Sequence, residues 1–232
     1  MASKKIKLTD NFKKNVFINC PFDNKYRPFL KVILFTITYF ELNPKISLEK
    51  VDSLEFRLEK IKNIISESKY SIHDLSRMVF VEKSELSNLQ NMIESEIDEI
   101  NFARMNMPFE LGIDYGCRLF HPNNEINSKV TLVLDKEKYR YQRVLSDLSG
   151  CDIESYDNNP ENLMGVLIDW ISHNMDNVKH ESTSELYGLF EDYEADFYNK
   201  FINSGYKDSE INSLPLNLYL VKLKESFGYT SI

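Results

Sequence analysis

Short apolar runs closed by polar or turn-forming residues alternate along most of this chain with longer segments of helical period, and this alternation constrains the fold more than any other feature. Val16 to Cys20 is such a run, ending at Pro21; Tyr70 to Leu75 and the β-branched stretch Lys129 to Asp135 are two more. Lys45 to Leu48 and Asp152 to Tyr156 are weaker candidates of the same kind. Between them lie helix candidates. Pro28 to Phe40 is a long apolar segment with Pro28 suited to a first helical turn, although its β-branched residues pull toward strand. Ser53 is placed to cap a helix carrying Leu54, Leu58, Ile61 and Ile65 on one face. Met107 to Phe120 reads as a second buried helix, with Pro108 in its first turn and Gly112 and Gly116 expected to allow close packing. Tyr139 to Leu148 reads as a polar helix and Pro160 to Met175 as an apolar one. Strand and helix in alternation predict an α/β fold, a doubly wound parallel sheet whose ligands sit beyond the carboxyl ends of its strands.

Two segments depart from this pattern. From Met78 to Arg104 the chain is polar and acidic, with Leu86, Leu89, Ile93, Ile97 and Ile100 at helical spacing, which predicts an inserted amphipathic helix near 84–101. Packing on the body is its ordinary reading; a lid or an oligomer contact is the alternative. After His173 the sequence turns polar, and then Leu186 to Ile202 and Leu214 to Phe227 mix leucine with aromatic residues at helical spacing. The chain is thus expected to divide into an α/β domain over 1–175 and a helical C-terminal appendage over 176–232.

Charge and cysteine content narrow the function classes. With 28 Lys and Arg against 36 Asp and Glu, the net charge of -8 disfavours a chain built to coat nucleic acid or an anionic membrane, while leaving local basic sites open. Tyr139, Arg140, Tyr141 and Arg143 mix aromatics with basic charge, and in so acidic a chain they read as a solvated helix face. Three cysteines, Cys20, Cys117 and Cys151, without C-x-x-C spacing suggest neither a disulfide framework nor a zinc cage and fit a reducing cytoplasm. The longest greasy stretch contains Lys31 and two threonines, so no membrane span is expected, and the amino-terminal residues lack a secretory apolar region. The chain has no P-loop, G-x-G-x-x-G, G-x-S-x-G or H-E-x-x-H.

Four segments are placed by this topology to converge on one cleft: Phe17 to Asp23, the helix with Arg57, Ile72 to Arg77, and Arg104 to Gly112. Over roughly residues 15 to 156 they resemble the nucleoside 2-deoxyribosyltransferase-like group, a flavodoxin-like superfamily close to TIR domains. Asn19-Cys20-Pro21-Phe22 after the first strand is similar to that group's ligand loop, Asp74 to its acidic residue after the third strand, and Met107-Pro108-Phe109-Glu110-Leu111-Gly112 to its catalytic helix. The resemblance implies N-glycosidic bond cleavage or transfer on NAD or a related nucleotide or nucleoside, with Glu110 and Asp74 catalytic. It implies no required cofactor, the nucleotide being substrate, and a setting in bacterial anti-phage defence. A non-catalytic TIR-like nucleotide sensor or assembly module is the alternative, with a homo-oligomer or a defence-system protein as partner.

The chemistry supports a carboxylate in this role. Breaking an N-glycosidic bond develops positive charge at the anomeric carbon, which a nearby carboxylate traps or stabilises. A glutamate in a first helical turn also serves simply to compensate the helix dipole. Asp74 is a candidate for holding ribose hydroxyls or orienting Glu110, and equally for capping the turn at Ser76. Asn19, Pro21 and Phe22 are expected at base or sugar. Arg57, Ser76 and Arg77 are substrate-contact candidates, the arginines for phosphate or ribose or as ordinary ion pairs. Asn106 is a further contact candidate and a plausible cap for the Glu110 helix; His73 reads as a structural imidazole.

Overall fold

The computed structural model of the protein describes residues 11–47, 56–78, 105–176, 178 and 180–229. Five strands, β1 (Asn15–Asn19), β2 (Asn43–Lys45), β3 (Tyr70–Asp74), β4 (Val130–Asp135) and β5 (Glu154–Ser155), pair in parallel in the order β2-β1-β3-β4-β5. The helices are α1 (Arg27–Tyr39), α2 (Arg57–Ser66), α3 (Asn106–Phe120), α4 (Asn124–Asn127), α5 (Pro160–Asn174), α6 (Thr183–Asn203), α7 (Asp208–Asn212) and α8 (Leu216–Ser226). This is a doubly wound, flavodoxin-like α/β order, whose topological switch lies between β1 and β3.

Helices cover both faces of the sheet, so its central strands must be apolar on both sides. All five residues of β1 are buried. Val16 and Ile18 pack with α1 and α5, while Phe17 packs with Ile61 and Ile65 of α2. In β3, by the same alternation, Ile72 joins the α1 face and His73 turns toward α3. The β-branched content of α1 does not prevent a helix because the helix is buried nearly all round. Its two buried threonines satisfy their hydroxyls internally, Thr36 donating to the Val32 carbonyl at 2.8 Å and Thr38 to that of Leu34 at 2.7 Å.

The helices from 183 onward pack on α1. Leu186, Phe190, Phe197, Tyr219 and Leu223 belong to the same buried cluster as α1 and α5. Phe35 of α1 meets Phe190 and Phe227 with ring centroids 5.4 Å apart in each case. Lys31 of α1 pairs with Glu194 and lies 5.1 Å from the centroid of Tyr219, whose hydroxyl donates to Glu194 at 2.7 Å. The compositional boundary at 175/176 falls between α5 and α6, two elements that share this core. Among the described residues no helix is long and apolar enough to cross a membrane.

Several expectations are corrected in detail. The second strand runs over Asn43–Lys45 rather than from Lys45 onward: its register follows β1, with Asn15 opposite Asn43 and Phe17 opposite Lys45, and Pro44 is tolerated because β2 is an edge strand. The ladder at 152–156 is limited to Glu154 and Ser155. Tyr139 to Leu148 is not a helix but two 3-10 turns, Arg140–Arg143 and Ser146–Leu148, entered through Tyr139 in a left-handed conformation. The reason is Arg140, whose Nε donates to Asp135 at 2.9 Å and whose Nη2 donates to the Leu75 carbonyl at 2.8 Å. Its guanidinium thus ties β3 to β4 at their carboxyl ends instead of lying on a solvated helix face. Among the described residues Gly112 and Gly116 mediate no close approach, since a Cβ at either would meet nothing within 4 Å, whereas one at Gly165 would lie 3.3 Å from Thr183 Oγ1. The amphipathic segment near 84–101 and the cap at Ser53 lie outside the described residues.

Candidate functional site

Asn19, the last residue of β1, positions the Glu110 helix. Its Nδ2 donates to the Met107 carbonyl at 2.9 Å and also lies 2.9 Å from His73 Nδ1. A carbonyl can only accept, so the amide nitrogen must face Met107, its second hydrogen goes to Nδ1, and the imidazole carries its proton on Nε2. That nitrogen is 3.0 Å from Asp114 Oδ2. The other Asp114 oxygen is 3.3 Å from the ammonium of Lys129, which donates to the Ile65 carbonyl at 2.8 Å and to that of Ser68. His73, Asp114 and Lys129 are all buried. Burial alone would raise the Asp114 carboxyl, but the His73 hydrogen bond and the Lys129 charge hold it down at about 2. A buried polar chain therefore runs under α3 from Lys129 to Asn19 and fixes the helix against the ends of β1 and β3.

On that helix Glu110 is only 5% exposed, beside the end of β1. Arg57 Nη2 lies 3.4 Å from its Oε1, with the arginine side chain 60% exposed. Burial raises the Glu110 carboxyl, and the charge and hydrogen bond of Arg57 draw it part of the way back. The result is a carboxylate largely out of water whose ion-pair partner sits at the surface.

Asp74 occupies the opposite face of the switch. Its Oδ2 accepts from Tyr26 at 2.7 Å and Tyr156 at 3.0 Å, and its Oδ1 accepts from the Ser76 backbone N–H at 2.8 Å. The residue is fully buried, which raises its carboxyl against those hydrogen bonds. Both Asp74 oxygens are engaged, one by two tyrosine hydroxyls and the other by the turn at Ser76 that the capping alternative describes. The Cys20 thiol is pushed up by burial first, then by the charges of Asp74, Glu110 and Asp23.

A cavity of about 410 Å³ opens beyond the carboxyl ends of the strands, on the α1 side of the switch. Lys25, Tyr26 and Phe29 come to it from the β1 loop and α1, Ser76 and Arg77 from the β3 loop, and Lys136 from the β4 loop. Arg77 Nη2 donates to Asp23 at 2.8 Å, and Lys136 lies 3.4 Å from Glu137.

The expected site residues therefore fall into two groups either side of the β1/β3 crevice. Glu110, Arg57 and Asn19 gather on the α3 side; Asp74, Ser76 and Arg77 gather on the α1 side. Pro21 is buried and Phe22 is half-buried against the main core, and neither lines the cavity. Asn106 is exposed in the first turn of α3 and makes no cap hydrogen bond, because Met105 occupies the cap position. Tyr26, Tyr156, Lys25 and Lys136 escaped the sequence reading. Only the position of Lys136, directly after a strand ending in Asp135, offered a signal. Among the described residues no three His, Cys, Asp or Glu side chains converge as metal ligands.

Comparison with protein-family models, curated proteins and solved structures returns no match. The likeness to the deoxyribosyltransferase-like group thus rests on the motifs quoted from the sequence.

Proposed function

We propose that the protein cleaves or transfers the N-glycosidic bond of NAD or a related nucleotide, with Glu110 as the carboxylate at the anomeric carbon. The observation that carries this reading is the setting of Glu110: a buried carboxylate whose pairing arginine is exposed, on a helix that Asn19 holds through the Met107 carbonyl at the switch point of a doubly wound sheet. As the carbon–nitrogen bond breaks, its electron pair leaves with the base and positive charge grows on the sugar carbon. The Glu110 carboxylate stabilises that charge or bonds to the carbon, and water or an acceptor hydroxyl then attacks. Nicotinamide leaves readily because it is cationic while bound, so one carboxylate suffices without a strong general acid. Arg57, able to swing away at the surface, releases Glu110 to the sugar. A role in bacterial defence belongs to the same reading and rests on the motif resemblance.

One observation favours a second reading, a nucleotide sensor or assembly module without chemistry: the other acid of the motif set, Asp74, has its oxygens occupied. Incubation of the purified protein with NAD and with nucleosides, following base release, separates the two. The enzymatic reading predicts release by the native protein and its loss in Glu110→Gln. Saturable binding with intact ligand, or equal release by both proteins, refutes it.

A further inference from the structure

The cavity on the α1 side of the switch gathers donors that the described residues leave wholly or partly unused. Ser76 is 8% exposed and lines the cavity, and its Oγ, although beside the Asp74 carboxylate and the Tyr156 hydroxyl, has no partner at hydrogen-bond geometry. The buried Nε of Arg77, whose Nη2 is held by Asp23, is likewise unpartnered. Lys25 adds an ammonium that forms no ion pair among the described residues, and Lys136 adds another at the rim. Buried donors of this kind are few in folded proteins and call for an acceptor. Here they approach one space from three different loops, in a chain whose net charge is -8.

We infer that this cavity is a binding site for a phosphate ester, the phosphate of a nucleotide. A phosphate offers several oxygens directed apart, which matches a hydroxyl, a guanidinium N–H and ammonium groups arriving from separate loops better than the two coplanar oxygens of a carboxylate. The rest of the wall is Tyr26 and Phe29 together with Asn158 and Glu137, the acid that pairs with Lys136. Phe29 lies with its centroid 5.5 Å from that of Tyr26 and 5.4 Å from that of Tyr156, giving an apolar shelf for the body of the ligand beside the polar end. At about 410 Å³ the cavity has the size of a small-ligand site. The anion site stands on the cavity itself; that its ligand is the molecule on which Glu110 acts rests on the function proposed above.

Titration calorimetry with AMP, adenosine and inorganic phosphate tests the inference and separates a nucleotide from the free anion. AMP is expected to bind at least about tenfold more tightly than adenosine, and more tightly than phosphate, which competes with it. Ser76→Ala is expected to weaken AMP several-fold, whatever change in the thermal midpoint follows from its place beside Asp74. A serine that serves only Asp74 would lower the midpoint and leave AMP affinity unchanged. Lys25→Ala with Lys136→Ala, both on solvent-reaching side chains, should weaken AMP and phosphate together by about tenfold or more and flatten the salt dependence. Equal binding of AMP and adenosine, unchanged AMP affinity in both variants, or no binding of AMP or phosphate at millimolar concentration overturns the proposal. Phosphate-dependent AMP binding without any base release from NAD supports the anion site and removes only the glycosidase reading. Base release from NAD with no AMP or phosphate binding removes only the anion site.

Discussion

Replacing Asp114 by asparagine removes the charge at the centre of the chain beneath α3. The carboxyl is held at about 2 against an ordinary 3.8, so its ionised form contributes about 2.4 kcal/mol of stability at neutral pH. A depressed carboxyl stabilises above its unfolded value, and the contribution is lost as pH falls through the native one. By pH 3 roughly half remains, about 1.3 kcal/mol. The substitution also leaves Lys129 buried without its counter-charge, although the ammonium keeps the carbonyls of Ile65 and Ser68. The total cost at pH 7 is therefore expected near about 3 kcal/mol, at the lower end for breaking a buried pair. Urea unfolding of native protein and Asp114→Asn at pH 7 and pH 3 measures it. The deficit should shrink by about 1 kcal/mol on acidification. A deficit independent of pH, or one below about 1 kcal/mol at pH 7, refutes the account of this network.

Other consequences are equally direct. Tyr26→Phe takes one donor from buried Asp74 and should cost about 1.5–3 kcal/mol by chemical denaturation. Because burial already raises that carboxyl, its stabilising contribution is complete below the unfolded value and is lost as pH rises through the native one. Removing a donor raises it further, so the deficit should be larger at pH 7 than at pH 4. Gly116→Ala, with nothing to meet the new methyl group, should stabilise by about 0.5–1 kcal/mol; a loss would show that the helix needs a glycine there. Phe35→Ala, which opens a hole among rings from α1, α6 and the end of α8, should cost about 3–5 kcal/mol if the C-terminal helices share one core with the sheet.

The sheet was legible because strands covered on both faces read as unbroken apolar runs, and VFINC and KVTLVLD are of that kind. Its edges were less so: β2 carries Pro44 and takes its limits from pairing with Asn15 to Phe17, which is information held by the partner strand. The 139–148 segment misled because helical propensity is local, whereas the turns there serve the contacts of Arg140 with Asp135, Leu75 and Met78. At the site, strand-end position marked Asn19, Ser76 and Arg77 for attention, and a helix-start motif marked Glu110. What periodicity could not disclose was that Tyr26 and Tyr156, far apart in sequence, would meet on one Asp74 oxygen and remove it from the list of free carboxylates. Lys129 read as the start of a strand, and its buried ammonium under α3 has no local signature at all.

A structure of Glu110→Gln crystallised with NAD tests the central claim most directly, since the substitution preserves the side chain's shape while removing its charge. The account predicts the anomeric carbon of the nicotinamide-bearing ribose about 3–3.5 Å from the side chain of residue 110, within reach of bond formation. A ribose bound elsewhere, with the residue 110 amide still against Arg57 and no sugar near it, contradicts the claim.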